Sequence, residues 1–201
     1  NYLKIKALIN NGDIGDIRFV DVKIHKSLHP DIVGQSQNIN NWRTQLDIAG
    51  GGYFYDLAAH QLDFLDYLFG PIVQAHGIAK NCGGLYKTED TTLGTFVFEN
   101  GVVGMGSWCF SVSKEVELEK TIIYGSKGSI EFPFFVGFDV TVKIDGQPTK
   151  LFKFEMPENI QLPLIQTIVD ELNGIGKCPS TGVSGARTNW VLEQMCKRID
   201  Q

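Results

Sequence analysis

Polar side chains recur every three or four residues along one stretch of the sequence, at Tyr53, Asp56, His60, Asp63 and Tyr67. On a helix of 3.6 residues per turn, this spacing places all five on one face. The face carries no Lys, Glu or Arg, although a simple solvent-facing stripe remains the alternative. A histidine one turn from a carboxylate can donate or accept a proton near neutral pH. The spacing therefore makes His60 and Asp56 candidates for catalytic acid–base residues.

Residues that precede this stretch extend it into a candidate pocket. Gly50, Gly51 and Gly52 carry no side chains where the helix would begin, which lets a ligand approach its backbone N–H groups. Trp42 and Arg43 lie upstream and offer a flat apolar wall beside a fixed positive charge. We predict two sets of contacts: substrate-binding side chains at Trp42, Arg43, Tyr53 and Asp63, and weaker cofactor contacts at Gly51 and Gly52.

Three alternative interpretations compete with acid–base catalysis. Asp56, His60 and Asp63 could ligate a metal in a hydrolase or lyase, but no Cys or His cluster supports one, so we predict no metal. The glycines from Gly101 to Gly106 are not a dinucleotide fingerprint, because their order is wrong and they open a strand rather than a helix. A non-catalytic binding or dimerisation module would have no reason to keep both Asp56 and His60.

Composition narrows the class of protein. The chain has 201 residues with a net charge of -5, which disfavours nucleic acid as the main partner. No secretory signal or long apolar run is present, so we expect no membrane association. The four cysteines are widely spaced, which favours reduced thiols and a cytoplasmic location. The sequence begins inside a helical pattern without a methionine or a visible cap, which suggests a piece excised from a longer protein.

Hydrophobic periodicity predicts a single α+β domain over residues 1–201. A first helix ends at residues 10–12, a half-buried strand covers 17–27, and 29–46 reads as a loop. A five-turn helix follows the three glycines and should pack on the sheet through Phe54, Leu57, Ala58, Leu65 and Leu68. Hairpins are predicted around residues 99–101, 125–128 and 145–146, and two helices, 162–174 and 184–199, close the chain. Successive hairpins build a mostly antiparallel sheet.

A resemblance to a known family rests on the candidate site. Trp42-Arg43, Gly50-Gly51-Gly52 and Asp56-x-x-x-His60-x-x-Asp63 resemble the C-terminal domain of the glucose–fructose oxidoreductase, inositol dehydrogenase and rhizopine-catabolism oxidoreductase family. Weaker matches span the rest of the chain, in the motifs at residues 12–17, 98–101, 125–130 and 179–182.

The resemblance implies a fold, a chemistry and a partner. The fold is a large open, mostly antiparallel sheet with helices on one face, like the C-terminal domain of glyceraldehyde-3-phosphate dehydrogenase, and it often forms a homodimer through the sheet. The family moves a hydride between NAD or NADP and a hydroxyl carbon of a sugar, polyol or related ring. In the matching positions, His60 would exchange the hydroxyl proton and Asp56 would orient it, while Trp42 and Arg43 would line the pocket. The family's N-terminal Rossmann domain and the lysine of its Glu-Lys-Pro motif are missing here, so we expect the chain alone to be inactive.

Overall fold

The computed structural model describes residues 1–27 and 42–197. Its first helix, α1, covers Tyr2–Asn10 and begins at an N-cap, Asn1, although the sequence pattern predicts none. The Asn1 side-chain oxygen accepts a hydrogen bond from the Tyr2 backbone N–H at 2.9 Å. Asparagine is among the best N-cap residues because its short side chain reaches the unpaired N–H groups of the first turn. The expectation of an uncapped start was therefore wrong.

Eight strands of the described residues form one sheet, in the spatial order β2-β3-β4-β1-β5-β6-β7-β8. Among these strands β1 and β4 run parallel, and the other neighbours are antiparallel. The predicted mostly antiparallel sheet and its three hairpins are thus confirmed. The strands are β1 Ile17–His25, β2 Ile72–Lys80, β3 Thr91–Phe98, β4 Val103–Cys109, β5 Leu118–Gly125, β6 Gly128–Phe132, β7 Val140–Ile144 and β8 Lys150–Phe152.

The remaining helices follow the sequence pattern with two differences. Trp42–Thr44 forms a 3-10 helix and Leu46–Ala49 a short helix, α2, where the sequence suggested a loop. The five-turn helix α3 covers Gly52–Phe69 and α4 covers Leu162–Leu172, as expected. Helix α5 covers Gly182–Cys196 and starts before the predicted residue 184, because Thr181 and Ser184 form a capping box there.

The core lies between the sheet and helices α3 and α5. Along β1, Val20, Val22 and Ile24 are fully buried on this side, as their alternation predicts. Trp108 of β4 is also fully buried, and its indole N–H donates to the Gln61 side-chain oxygen of α3 at 2.7 Å. Its ring covers Gly106, where a Cβ would lie 2.1 Å from the indole. The glycine run of β4 thus serves packing, which agrees with its rejection as a nucleotide fingerprint.

The other face of the sheet carries exposed apolar side chains. We call Leu93, Val103 and Met105 the open-face patch, because these side chains of β3 and β4 are 52%, 45% and 47% exposed. The ion pair of Asp21 with Lys23 lies on the same face, since Asp21 is the β1 partner of Met105.

Candidate active site

Arg43 and Asp56 form an ion pair at the entrance to α3. The Arg43 Nε–H donates to Asp56 Oδ2 at 2.6 Å, and the two side chains are 12% and 25% exposed. The guanidinium also lies over the Trp42 ring, 4.2 Å from its centroid. Both residues belong to the 3-10 helix Trp42–Thr44, which precedes α3 in the chain. The structure therefore brings Trp42, Arg43 and Asp56 together as one unit.

His60 lies one turn beyond Asp56 on α3 and its side chain is exposed. Its imidazole contacts the Phe135 ring edge-on, with 5.9 Å between the centroids. Phe135 lies in the connection between β6 and β7 and carries no local sequence signal that would predict its place beside His60. The imidazole is therefore exposed and lies beside an aromatic ring, one helical turn from the Asp56 position. Such a group can exchange a proton with a bound molecule.

Tyr53 lies on the polar stripe but points into the core. The residue is only 8% exposed, and its ring lies 5.5 Å from Phe110 and 5.9 Å from Tyr86. The stripe predicted from spacing therefore does not face one pocket along its whole length. Substrate binding by Tyr53 stays a prediction, and little of its surface is available for it.

Asp63 is half-buried, and its charge acts on Arg187 of helix α5. Arg187 of α5 forms two hydrogen bonds to the Asp66 carboxylate, at 2.8 and 2.6 Å. The hydrogen bond to Asp66 raises the pKa of Arg187, and the negative charge of Asp63 adds to this. In the described part of the chain, Asp63 Oδ1 is buried without a hydrogen-bond partner. The predicted substrate contact of Asp63 stays a prediction, and its observed surroundings are those of the α3–α5 contact.

The glycines before α3 are explained by close packing. A Cβ at Gly51 would lie 1.9 Å from the Tyr55 ring, and one at Gly52 would lie 2.4 Å from Thr88 Oγ1. Gly52 also has φ +65°, which favours glycine. Side-chain packing thus accounts for both glycines, and the cofactor contacts predicted for Gly51 and Gly52 stay predictions.

The described residues hold neither a cluster of metal-ligating side chains nor a membrane-spanning helix. Over residues 1–27 and 42–197, no group of three or more His, Cys, Asp or Glu is placed to hold a metal ion. In the same ranges, no helix combines the length and apolar character needed to cross a membrane.

The known proteins to which this chain is similar agree with one another in family and in class. A model of the GFO/IDH/MocA C-terminal domain matches residues 2–131. Oxidoreductase P35 of Formosa agariphila is 29% identical over 196 residues, which are 97% of this chain and 58% of that protein. The uncharacterized oxidoreductase YfiI of Bacillus subtilis is 26% identical over 198 residues, 95% of this chain and 48% of that protein. The chain thus spans about half the length of these curated relatives.

Among solved structures, a levoglucosan dehydrogenase in complex with NADH and levoglucosan has the same fold. It superimposes with a TM-score of 0.76 at 17% identity, over 94% of this chain and 58% of that one. At this identity the likeness supports the fold alone.

Proposed function

The chain belongs to the GFO/IDH/MocA C-terminal domain family, and we propose that it forms the substrate-binding half of an oxidoreductase that uses NAD or NADP. The reaction would act on a hydroxyl carbon of a sugar, a polyol or a related ring compound. One observation carries the proposal: the exposed imidazole of His60 lies one helical turn from Asp56, which Arg43 holds by an ion pair.

The relatives support the class of reaction. The curated relatives are named oxidoreductases, and the structural neighbour with NADH has levoglucosan, a sugar derivative, as its other ligand. Because the chain spans about half of its curated relatives, the activity belongs to a longer parent protein in this proposal. NAD or NADP would be held mainly outside the 201 residues, and we expect the chain alone not to turn over.

Each side chain of this site has a separate role toward the substrate. His60 accepts the proton of the reacting hydroxyl during oxidation and returns it during reduction. Asp56 accepts a hydrogen bond from a neighbouring substrate hydroxyl with the carboxylate lone pairs that Arg43 does not use. Arg43 fixes the rotamer of Asp56, and Trp42 fixes that of Arg43. When bound, a nicotinamide cofactor supplies the hydride acceptor for the substrate carbon.

Turnover by the intact parent protein tests this proposal. NAD and NADP would each be offered with a panel of sugars, inositols and polyols. We expect His60→Ala to lower kcat by about 10²- to 10⁴-fold, the range for loss of a general acid–base group. His76→Ala, an exposed histidine on edge strand β2, is the matched control and should keep the wild-type rate. A His60→Ala enzyme with the wild-type rate would remove His60 from the mechanism.

We also propose a homodimer that forms through the open-face patch. Its three apolar side chains lie on adjacent strands and are each about half exposed. Exposed apolar surface of this kind marks interaction sites in soluble proteins. A cytoplasmic location remains part of the proposal, because Cys82, Cys109, Cys178 and Cys196 are all free thiols.

A further inference from the structure

Glu119 is an acidic residue on the core side of the sheet. Side chains alternate along β5, so Glu119 lies on the same side as Thr121 and Ile123, which are both fully buried. Glu119 itself is half-buried, so its carboxylate loses part of its water, and hydrogen bonds must compensate for that loss. Three backbone N–H groups provide them: Glu119 Oε1 accepts from Phe134 at 2.6 Å and Phe135 at 2.7 Å, and Oε2 accepts from Val136 at 3.0 Å.

These bonds fix the connection between β6 and β7, which we call the 133–137 loop. Hydrogen bonds to an ionised acceptor are about twice as strong as neutral ones, so three in succession hold the backbone in one conformation. A second anchor comes from α1, where the Tyr2 hydroxyl donates to the Phe134 carbonyl at 3.3 Å. Burial and the nearby Glu119 charge raise the pKa of Tyr2, so the hydroxyl keeps its proton for this bond.

The 133–137 loop carries Phe135 to the proposed site. The Phe135 ring is half-buried and contacts His60 edge-on, while the next side chain, Val136, is 60% exposed. An apolar surface thus lies directly beside the imidazole assigned to proton exchange. Ligand pockets commonly combine such apolar walls with a few polar groups that fix orientation.

We propose that Phe135 is a specificity-determining residue and that Glu119 is a positioning residue that acts on the site through it. The Phe135 ring would receive the C–H face of a cyclic sugar or cyclitol. An open-chain polyol would place hydroxyl groups against the same ring and leave them unpaired, which is costly. This inference rests on the proposed function for its substrate class, but the positioning role of Glu119 does not depend on turnover.

The positioning role can be measured on the 201-residue chain by NMR of its histidine side chains. The chain has four histidines, so the His60 Cε1–H signal can be assigned with His60→Ala. Phe135→Ala should shift this signal because the aromatic ring current is lost. Glu119→Gln should shift it in the same sense, and adding Glu119→Gln to Phe135→Ala should change nothing further. Asp145→Asn, which removes an exposed carboxylate in the β7–β8 turn, should leave the signal unchanged.

A Glu119→Gln chain whose His60 signal stays at the wild-type position would overturn the positioning role. Should Glu119→Gln fail to fold, Glu119→Asp keeps the charge and shortens the reach by one methylene. It should produce the same shift in a folded chain.

The specificity role is measured in the intact parent enzyme. We expect Phe135→Ala and Glu119→Gln each to lower kcat/KM for a cyclic substrate by about 10- to 100-fold, the scale for a misplaced site. The loss for an open-chain polyol should be several-fold smaller, and the double variant should match Phe135→Ala alone, as for residues that act together. Phe152→Ala is the control, since Phe152 is another half-buried aromatic residue, on β8. It should preserve the ratio of kcat/KM for the cyclic substrate to kcat/KM for the open-chain polyol.

Equal losses for both substrate classes would contradict the specificity role. A wild-type enzyme that turns over neither class would instead refute the proposed function and the substrate selection with it. The NMR shift would still decide whether Glu119 positions Phe135 against His60.

Discussion

His25 ends strand β1 on the open face of the sheet, where it titrates in an unusual environment. Its Nε2 lies 2.8 Å from the Ser107 hydroxyl. Burial, and then the positive charge of Lys23, lower the pKa of His25 below 6.5, while Asp21 opposes them. Between pH 6.5 and that lower value, the unfolded chain binds a proton at His25 that the folded chain does not. The free energy of unfolding therefore falls as the pH drops through this window.

Replacing His25 should remove this pH dependence. We expect the free energy of unfolding of wild type to fall more steeply than that of His25→Asn as the pH drops from 6.5 toward the lowered pKa of His25 in the folded chain. Well above pH 6.5 the difference between the two should be constant, because His25 is then neutral in both states. Urea titrations at a series of pH values measure this difference. The contribution of the carboxylates to the pH dependence is common to both proteins, so it cancels in the difference. Parallel curves for the two proteins below pH 6.5 would show that the fold does not bias His25 toward its neutral form.

At the residue scale, residue type and helical spacing were enough to predict the polar residues of the candidate site. Asp56 and His60 lie one turn apart, as their spacing predicts, and the fixed positive charge of Arg43 pairs with Asp56. The burial of Tyr53 was not predictable, because a tyrosine suits a core and a polar stripe equally well. Phe135 was not predictable either, since its contact with His60 joins residues 75 positions apart in a loop with no regular period.

Helix α5 packs directly on edge strand β2 and its neighbour β3. One glycine of each strand, Gly77 and Gly94, lies against Met195 of α5. A Cβ at Gly77 would lie 2.6 Å from the Met195 carbonyl oxygen and 2.8 Å from its Cα. A Cβ at Gly94 would meet the Met195 Sδ at 2.8 Å, which is part of a flexible side chain. The backbone of α5 must move to accommodate the first substitution, whereas a new methionine rotamer can accommodate the second.

The two glycine substitutions should therefore differ. We expect Gly77→Ala to lower the free energy of unfolding by about 1–3 kcal/mol, the usual cost of overpacking, and Gly94→Ala to cost less. Gly185→Ala is the control within α5, because nothing lies within 4 Å of its Cβ position. It should raise stability by about 0.5–1 kcal/mol through helix propensity. Equal costs at residues 77 and 94, measured by urea unfolding, would show that α5 can shift freely on the sheet.

At the element scale, local patterns predicted the hairpins but not the neighbours of β1. Asn100-Gly101 and Asp145-Gly146 mark their turns, and both glycines have positive φ, as such turns require. The parallel pairing of β1 with β4 joins strands about 80 residues apart, and no turn residue specifies it. The 3-10 helix at Trp42–Thr44 was also missed, because its single turn is too short for a hydrophobic period.

At the scale of the whole molecule, two exposed apolar surfaces are candidates for the dimer interface. One is the open-face patch, and the other is helix α4, where Leu172 is 82% exposed. Helix α4 is joined to the following loop by a hydrogen bond from the Cys178 N–H to Glu171 Oε2 at 3.0 Å. The open face also carries paired charges, such as Lys120 with Glu131 at 2.9 Å. A self-complementary interface needs such balanced charge beside its apolar centre, which favours the sheet.

A charge placed in each surface separates the two possibilities. We expect wild type to sediment as a dimer and Met105→Asp to sediment as a monomer, because the dimer would bury the new carboxylate without a partner. Leu172→Asp makes the same substitution on α4 and should remain dimeric. Both positions are at least 47% exposed in the chain, so neither change should lower its stability substantially. A dimer that survives Met105→Asp and dissociates with Leu172→Asp would place the interface on α4, and a wild-type monomer at high concentration would contradict both.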